Sequence, residues 1–163
     1  MIFLTVGTIF PFDRLVKAVD NAVAEGSITE EVFAQVGLEA KKPDHIESVE
    51  SLDKKTFDKI AADSSCMISH AGMGSILAAL NLEKPLLVMP RLRKYRENIN
   101  DHQIATAEKF EQLGHIMAVY NTDQVPEKLS QIKSFKPKPW HSQVEKVVER
   151  INFFLEYVEK TND

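Results

Sequence analysis

Ser69-His70-Ala71-Gly72-Met73-Gly74-Ser75 follows the apolar run Cys66-Met67-Ile68 and leads into Ile76-Leu77-Ala78-Ala79-Leu80. A short buried strand that breaks on glycines and re-enters as a helix leaves backbone N–H groups and the positive end of the helix dipole aimed at one spot. Such a spot suits a phosphate. Glycine there also lets a ligand approach the main chain with no Cβ in the way. A single loop of this kind is ordinary in any strand-to-helix turn. Here Gly7 ends another apolar strand in the same fashion, and in a parallel sheet the two loops share one rim.

Working outward, Ile2 to Val6 is continuously apolar and reads as a first strand buried on both faces. Asp13 then caps a helix whose stripe is Leu15, Val16, Val19, Ala22 and Val23. Glu31 to Val36 reads as a second strand, His45 to Val49 as a short one, and Asp53 to Asp63 as a helix presenting Phe57, Ile60 and Ala61. Beyond the glycine loop, Leu86 to Met89 is an apolar strand stopped by Pro90, Asn100 to Leu113 a helix, and Ile116 to Tyr120 a last strand. Thr122 to Ile132 reads as a short helix that tolerates Pro126 in its first turn. Ser134 to Trp140 is a stiff, proline-bearing connection to an amphipathic closing helix, Val144 to Tyr157, expected to pack on the sheet. Phe153, Phe154 and Tyr157 widen the apolar face of that helix enough for a partner.

Strands alternating with helices define an α/β class with a Rossmann-like, doubly wound, mostly parallel sheet, and ligands are expected outside the carboxyl ends of its strands. Residues 1–133 form the ligand-binding domain, with 134–163 a linker and closing helix of that same domain. At 163 residues the chain is long enough for one full core and too short for two.

A net charge of -4 gives no reason to expect nucleic acid. The only cysteine, Cys66, lies in an apolar run with no companion at metal-ligand spacing, which fits a reducing, cytoplasmic setting. Neither a metal nor a cofactor is expected. The opening Met1-Ile2-Phe3-Leu4 lacks a basic flank and reads as strand instead of signal peptide. No apolar run approaches the roughly 20 residues that cross a bilayer.

Among polar residues, Thr8 and Ser75 could add hydroxyls to a phosphate or act as plain helix caps. His70, at the end of its strand, could bond a ligand or satisfy nearby backbone, and no carboxylate follows to make it a general base. Asn100 and Gln103 have the spacing of a capping box. The functional reading has Asp101, His102 and Gln103 offering directional groups to sugar hydroxyls. Arg91, Arg93, Lys94 and Arg96 form a basic loop on the same rim, able to neutralise a diphosphate, to touch anionic headgroups or simply to be solvated.

Val6-Gly7-Thr8, His70-Ala71-Gly72-Met73-Gly74-Ser75-Ile76, Lys84-Pro85 with Val88-Met89-Pro90-Arg91, and Asn100-Asp101-His102-Gln103 together resemble the carboxyl-terminal domain of glycosyltransferase family 28. The likeness runs to about Gln131 and is nearest to the small stand-alone members: PssE-type subunits of bacterial exopolysaccharide and capsule synthesis, and the catalytic subunit of the eukaryotic N-glycan UDP-N-acetylglucosamine transferase. The resemblance implies the donor half of the GT-B architecture and a UDP-sugar ligand. Gly72, Met73, Gly74 and Ser75 would hold its diphosphate, Asp101 and Gln103 its hexose, and Gly7 and Thr8 would face the acceptor side. His70, Arg91 and Asn100 complete the candidate substrate-binding set. Many members bind ribose through a glutamate where this chain has Ala78, which cannot hydrogen-bond a hydroxyl.

The implied reaction is inverting displacement at the anomeric carbon without a metal, with backbone N–H groups and the helix dipole stabilising the departing UDP. No catalytic base is assigned to this chain. The resemblance places the base on a membrane-anchored, acceptor-binding partner, so that this chain would be cytoplasmic and peripheral through that partner. The closing helix and Phe10-Pro11-Phe12 are the candidate contacts. The expected role is the donor-binding subunit of a two-component hexosyltransferase. The alternatives are a non-catalytic activator or stabiliser of a membrane-associated transferase, for which Ala78 speaks, and an unrelated doubly wound nucleotide-binding module.

Overall fold

The structure is a computed structural model that describes residues 1–8 and 10–161. Its strands are β1 (Ile2–Thr5), β2 (Val32–Gln35), β3 (Glu47–Val49), β4 (Cys66–His70), β5 (Leu86–Met89) and β6 (Met117–Ala118). The helices are α1 (Asp13–Ala24), α2 (Lys54–Asp63), α3 (Met73–Asn81), α4 (His102–Gln112), α5 (Val125–Ile132) and α6 (Val144–Thr161). The strands form one sheet in the order β3-β2-β1-β4-β5-β6, and every neighbouring pair is parallel. The chain therefore winds outward in one direction from β1 and in the other from β4. The crevice between those two strands is the switch point at which doubly wound sheets take ligands.

Alternation along each strand fills both faces. Ile2, Leu4, Cys66, Ile68, Leu87 and Met89 pack with Leu15, Val16 and Val19 of α1 and with Val125, Leu129 and Ile132 of α5. Phe3, Met67, Leu86 and Val88 point the other way, against Ala61 of α2, Ile76, Ala79 and Leu80 of α3, and Ala107 of α4. This two-sided cover is why the strands read as unbroken apolar runs. The loop leading to β3 hangs on a buried acid. Asp20 of α1 accepts from the backbone N–H groups of Asp44 (3.2 Å), His45 (2.8 Å) and Ile46 (3.1 Å). Burial pushes against its charge, but the His45 ring and these amides outweigh that and hold the carboxyl below its ordinary pKa.

Differences from the sequence reading sit at element ends and in the packing of the closing helix. Phe12, not Asp13, caps α1; Asp13 is the first helical residue and accepts from Lys41 N–H (3.3 Å). The last strand is only Met117–Ala118, because Gln124 Oε1 takes the N–H groups of Tyr120 (2.9 Å) and Asn121 (3.1 Å) and turns the chain. The Thr122 to Ile132 stretch opens as a 3-10 turn over Thr122–Gln124 before α5. The closing helix does not lay its stripe on the sheet: Val147 is 55%, Ile151 51%, Phe154 61% and Leu155 53% exposed. Among the described residues, no helix is long and apolar enough to cross a membrane.

Candidate functional site

The carboxyl ends of β1, β2 and β4 and the amino ends of α2, α3 and α4 surround a cavity of about 640 Å3, within the range of small-molecule sites. Gly7, Thr8, His70, Gly72, Gly74, Ser75, Arg91 and Gln103 all line it, so most of the residues singled out from the sequence meet at one place. Met73, Asn100 and Asp101 do not line it. Met73 turns outward, 45% exposed, and contributes only its place in the first turn of α3.

At the head of α3, Gly72 is the cap and has no side chain to satisfy the helix. Its own N–H donates to His70 Nδ1 (3.0 Å), whereas the N–H groups of Met73, Gly74 and Ser75 bond no acceptor among the described residues. Those free donors, with the helix dipole behind them, make the cavity attractive to an anion. Ser75, largely buried, adds a hydroxyl at the wall.

His70 is the hub of the loop. A backbone amide can only donate, so Nδ1 holds the lone pair and the proton of the neutral ring resides on Nε2. Burial, reinforced by the nearby charge of Arg91, lowers its pKa to about 4, so the ring is neutral at physiological pH. With Nδ1 occupied and so weak a basicity, His70 is a poor general base and a steady N–H donor. The glycines on either side leave room for it. A Cβ on Gly72 would lie 2.3 Å from His70 Cε1, and one on Gly7 would lie 2.9 Å from Nε2. Gly7 additionally has φ +76, a left-handed turn that other residues rarely adopt.

This chemistry predicts a pH dependence. An unfolded histidine titrates near pH 6.5, so between that pH and about 4 the unfolded chain binds more protons than the folded one. His70 therefore contributes stability that is present above about pH 6.5 and lost as pH falls through about 4, on the order of 3 kcal/mol in all. Urea unfolding of the wild type and of His70→Asn, whose amide oxygen replaces Nδ1 as acceptor, checks this. The wild type should lose more stability than the variant between pH 6.5 and 5, and parallel slopes would exclude His70 as the source.

The basic loop after β5 divides into a buried and an exposed part. Arg91 is 4% exposed; its Nη2 donates to Val6 O (2.6 Å) and to Phe10 O, and its guanidinium lies 5.3 Å from the Phe12 ring. Burial lowers its pKa to about 10, with Glu97 opposing, which leaves it charged at neutral pH. Arg93, Lys94 and Arg96 remain on the surface. The loop is fixed by a pair that the sequence did not disclose. Glu97, 6% exposed, receives Arg14 Nε (2.8 Å), Arg14 Nη2 (2.9 Å) and Leu92 N–H (2.9 Å).

The capping box expected of Asn100 and Gln103 is not formed. Gln103 Oε1 accepts instead from Arg91 N–H (3.0 Å), and Asn100 Oδ1 accepts from His102 N–H (3.2 Å). Asp101 bonds Arg93 N–H (2.7 Å), which ties down the 3-10 turn Arg93–Tyr95 instead of facing the cavity. These bonds also delay the start of α4 from Asn100 to His102. The cavity is lined at this end by Asn98, His102 and Gln103.

Thr5, Gln35, Leu52 and Phe57 line the cavity without having been singled out for it. Leu52 and Phe57 give an apolar wall facing the polar one. Gln35 carried a legible signal, a polar residue ending a buried strand. It is 3% exposed, and its Oε1, like Arg91 Nε, is buried without a partner. Buried polar atoms are rarely left unpaired in native proteins except where water or a ligand completes them.

A family model described as the glycosyltransferase family 28 C-terminal domain matches residues 1–152. The UDP-N-acetylglucosamine transferase subunit ALG13 of Candida glabrata is 46% identical over 56 residues, 34% of this chain and 26% of that protein. The subunit of the same name from Eremothecium gossypii is 40% identical over 60 residues, 37% of this chain and 28% of that protein. The match thus spans little more than a quarter of these relatives. The NMR solution structure of ALG13 superposes with a TM-score of 0.58 at 22% identity, covering 92% of this chain and 93% of that one. The UDP co-structure of S. aureus MnaA gives 0.64 at 18% identity, covering 95% and 46%. The α/β fold resembles the donor-binding, Rossmann-like half of GT-B glycosyltransferases.

Proposed function

The chain belongs to the glycosyltransferase family 28 C-terminal domain family, and from that premise we propose that it is the UDP-sugar-binding subunit of a two-component, inverting hexosyltransferase that makes polysaccharide or lipid-linked oligosaccharide. The observation that carries this reading is the row of unbonded N–H groups at the head of α3, opening on a cavity with one apolar and one polar wall. In it the diphosphate lies at Met73–Ser75 and the base against Leu52 and Phe57. The hexose faces His102 and Gln103. The acceptor oxygen attacks the anomeric carbon as its bond to the phosphate oxygen breaks, and UDP leaves with the charge that α3 stabilises. His70 holds the loop and donates from Nε2. In this reading the proton of the acceptor is taken by a membrane-anchored partner chain, as the family resemblance implies.

The apolar face exposed on α6 and the neighbourhood of Phe10 are where that partner would dock. A second reading, a non-catalytic subunit that activates or stabilises a membrane-associated transferase, is favoured by Ala78, which lines the cavity but offers no group to a ribose. Calorimetric titration with UDP and UDP-hexoses separates the two. A Cβ at Gly74 meets nothing within 4 Å, so Gly74→Trp fills the cavity without straining the backbone. Uridine-selective binding that the variant loses by about 100-fold or more, roughly 3 kcal/mol, is expected. No binding at millimolar ligand, with or without the partner, would leave the non-catalytic reading.

A further inference from the structure

Next to the cavity, on the α1 side of the sheet, lies a surface that donor binding does not use. A depression of about 330 Å3 is lined by Lys17, Lys41 and Lys42, and a second of about 240 Å3 by Tyr95 and Arg96; Asp13 and Arg14 line both, so the two are continuous. Lys94 adjoins them, its Nζ 4.8 Å from the centre of the Tyr95 ring. Lys17, Lys41, Lys42, Lys94 and Arg96 are exposed, and none forms an ion pair among the described residues. The acids nearby are mostly engaged: Asp13 by Lys41 N–H, Asp20 by the backbone before β3, and Glu97 by Arg14. Half-buried Asp13 and exposed Asp44 line the depressions themselves, and Glu39 is exposed in the loop between β2 and β3. On a chain of net charge -4, this shoulder thus sets Lys17, Lys41, Lys42, Lys94 and Arg96 against only Asp13, Glu39 and Asp44 outside its buried pairs, a local excess of positive charge.

We infer that this shoulder rests on an anionic lipid surface. The cations are spread over α1 and the loops after β2 and β5, and they do not converge on one point, so they suit a field of many anions better than a single phosphate. Lysine is depleted from the cores of protein interfaces but favoured beside anionic headgroups. Tyr95, 52% exposed between Lys94 and Arg96, has the amphipathic ring found at membrane–water boundaries. This contact goes beyond docking through a partner, because it is made by the chain itself. It orients the molecule with α1 toward the bilayer and the cavity mouth beside it.

Co-sedimentation of the full chain with vesicles tests the inference. Vesicles of phosphatidylcholine with about 30% phosphatidylglycerol should retain at least about tenfold more protein than pure phosphatidylcholine at 0.1 M salt, and lose it near 0.5 M. Lys41→Glu with Lys42→Glu, and separately Lys94→Glu with Arg96→Glu, should each reduce retention several-fold. Lys55→Glu with Lys59→Glu, on the opposite side of the sheet, should not. Equal retention on neutral and anionic vesicles, no retention on either, or equal losses in all three variants would overturn it. Heparin binding as tight as vesicle binding would also overturn it, in favour of a soluble polyanion. UDP titration of Lys41→Glu with Lys42→Glu, neither of which lines the cavity, should be unchanged, so failure of the lipid contact and failure of the donor site are read separately.

Discussion

Gly72→Ala should reduce UDP affinity by about 100-fold or more and destabilise the fold by about 2–3 kcal/mol, the usual cost of overpacking a filled site. The reason is steric and local. Gly72 has φ -89 and ψ 139, values open to any residue, so the backbone itself would accept alanine. The obstacle is the His70 ring, whose Cε1, Nδ1 and Nε2 lie 2.3, 2.8 and 3.1 Å from the new Cβ. The ring must rotate away, which breaks the Gly72 N–H bond to Nδ1 and moves Nε2 from its place beside Gly7. The double variant His70→Ala with Gly72→Ala should then recover most of the stability but not the affinity. Gly74→Ala gives the opposite sign. It lies in the first turn of α3 with open space beyond it, and should stabilise by up to about 1 kcal/mol through helix propensity. Thermal unfolding with UDP titration of the four proteins checks this. A Gly72→Ala protein as stable as the wild type, or a double variant no better than the single, would show that the ring does not set the requirement for glycine.

Glycines after apolar strands predict the rim, because strand burial and chain reversal are local properties. They led to Gly7, Gly72 and Gly74 and to the helix start that all the others surround. For His70 one of the two readings open in the sequence, satisfying nearby backbone, is the one found, since the bond that fixes its tautomer comes from Gly72 N–H only two residues on. What was not legible is that the ring also packs against Gly7, which depends on how closely the loops after β1 and β4 approach. Asn100 and Gln103 misled for a related reason: capping-box spacing is satisfied in the sequence, but the end of β5 brings Arg91 N–H to Gln103 and supplies a better-buried donor. Asp101 was drawn off likewise, by the 3-10 turn before it. The stripe of α6 predicted a helix correctly and its packing wrongly, because periodicity shows that a face is apolar and not what covers it.

Arg14 and Glu97 are 83 positions apart in the sequence, so no periodicity or motif could couple them. Yet they should dominate the stability of the rim. Side-chain exposure is 17% for Arg14 and 7% for Glu97, and Glu97→Ala leaves the guanidinium facing Met89 Sδ, Pro90 O and two rings without its counter-charge. Removing one member of a buried pair costs about 3–5 kcal/mol, mainly through the stranded charge. Glu97→Gln keeps an acceptor for Leu92 N–H but not the charge, and should cost less. Replacing both, as Arg14→Met with Glu97→Leu, removes the stranded charge and leaves Leu92 N–H unpaired, a cost of about 1–3 kcal/mol. Denaturant midpoints of the four proteins therefore separate charge from hydrogen bonding. A double variant less stable than Glu97→Ala would mean the pair is net favourable and not merely costly to break. The same substitutions reach the cavity, because Glu97 fixes Leu92, the residue before Leu92 is Arg91, and Arg91 N–H donates to Gln103. Glu97→Ala should thus weaken UDP-hexose binding more than UDP binding, the mark of a loop that orders the hexose end of the site while α3 holds the phosphates.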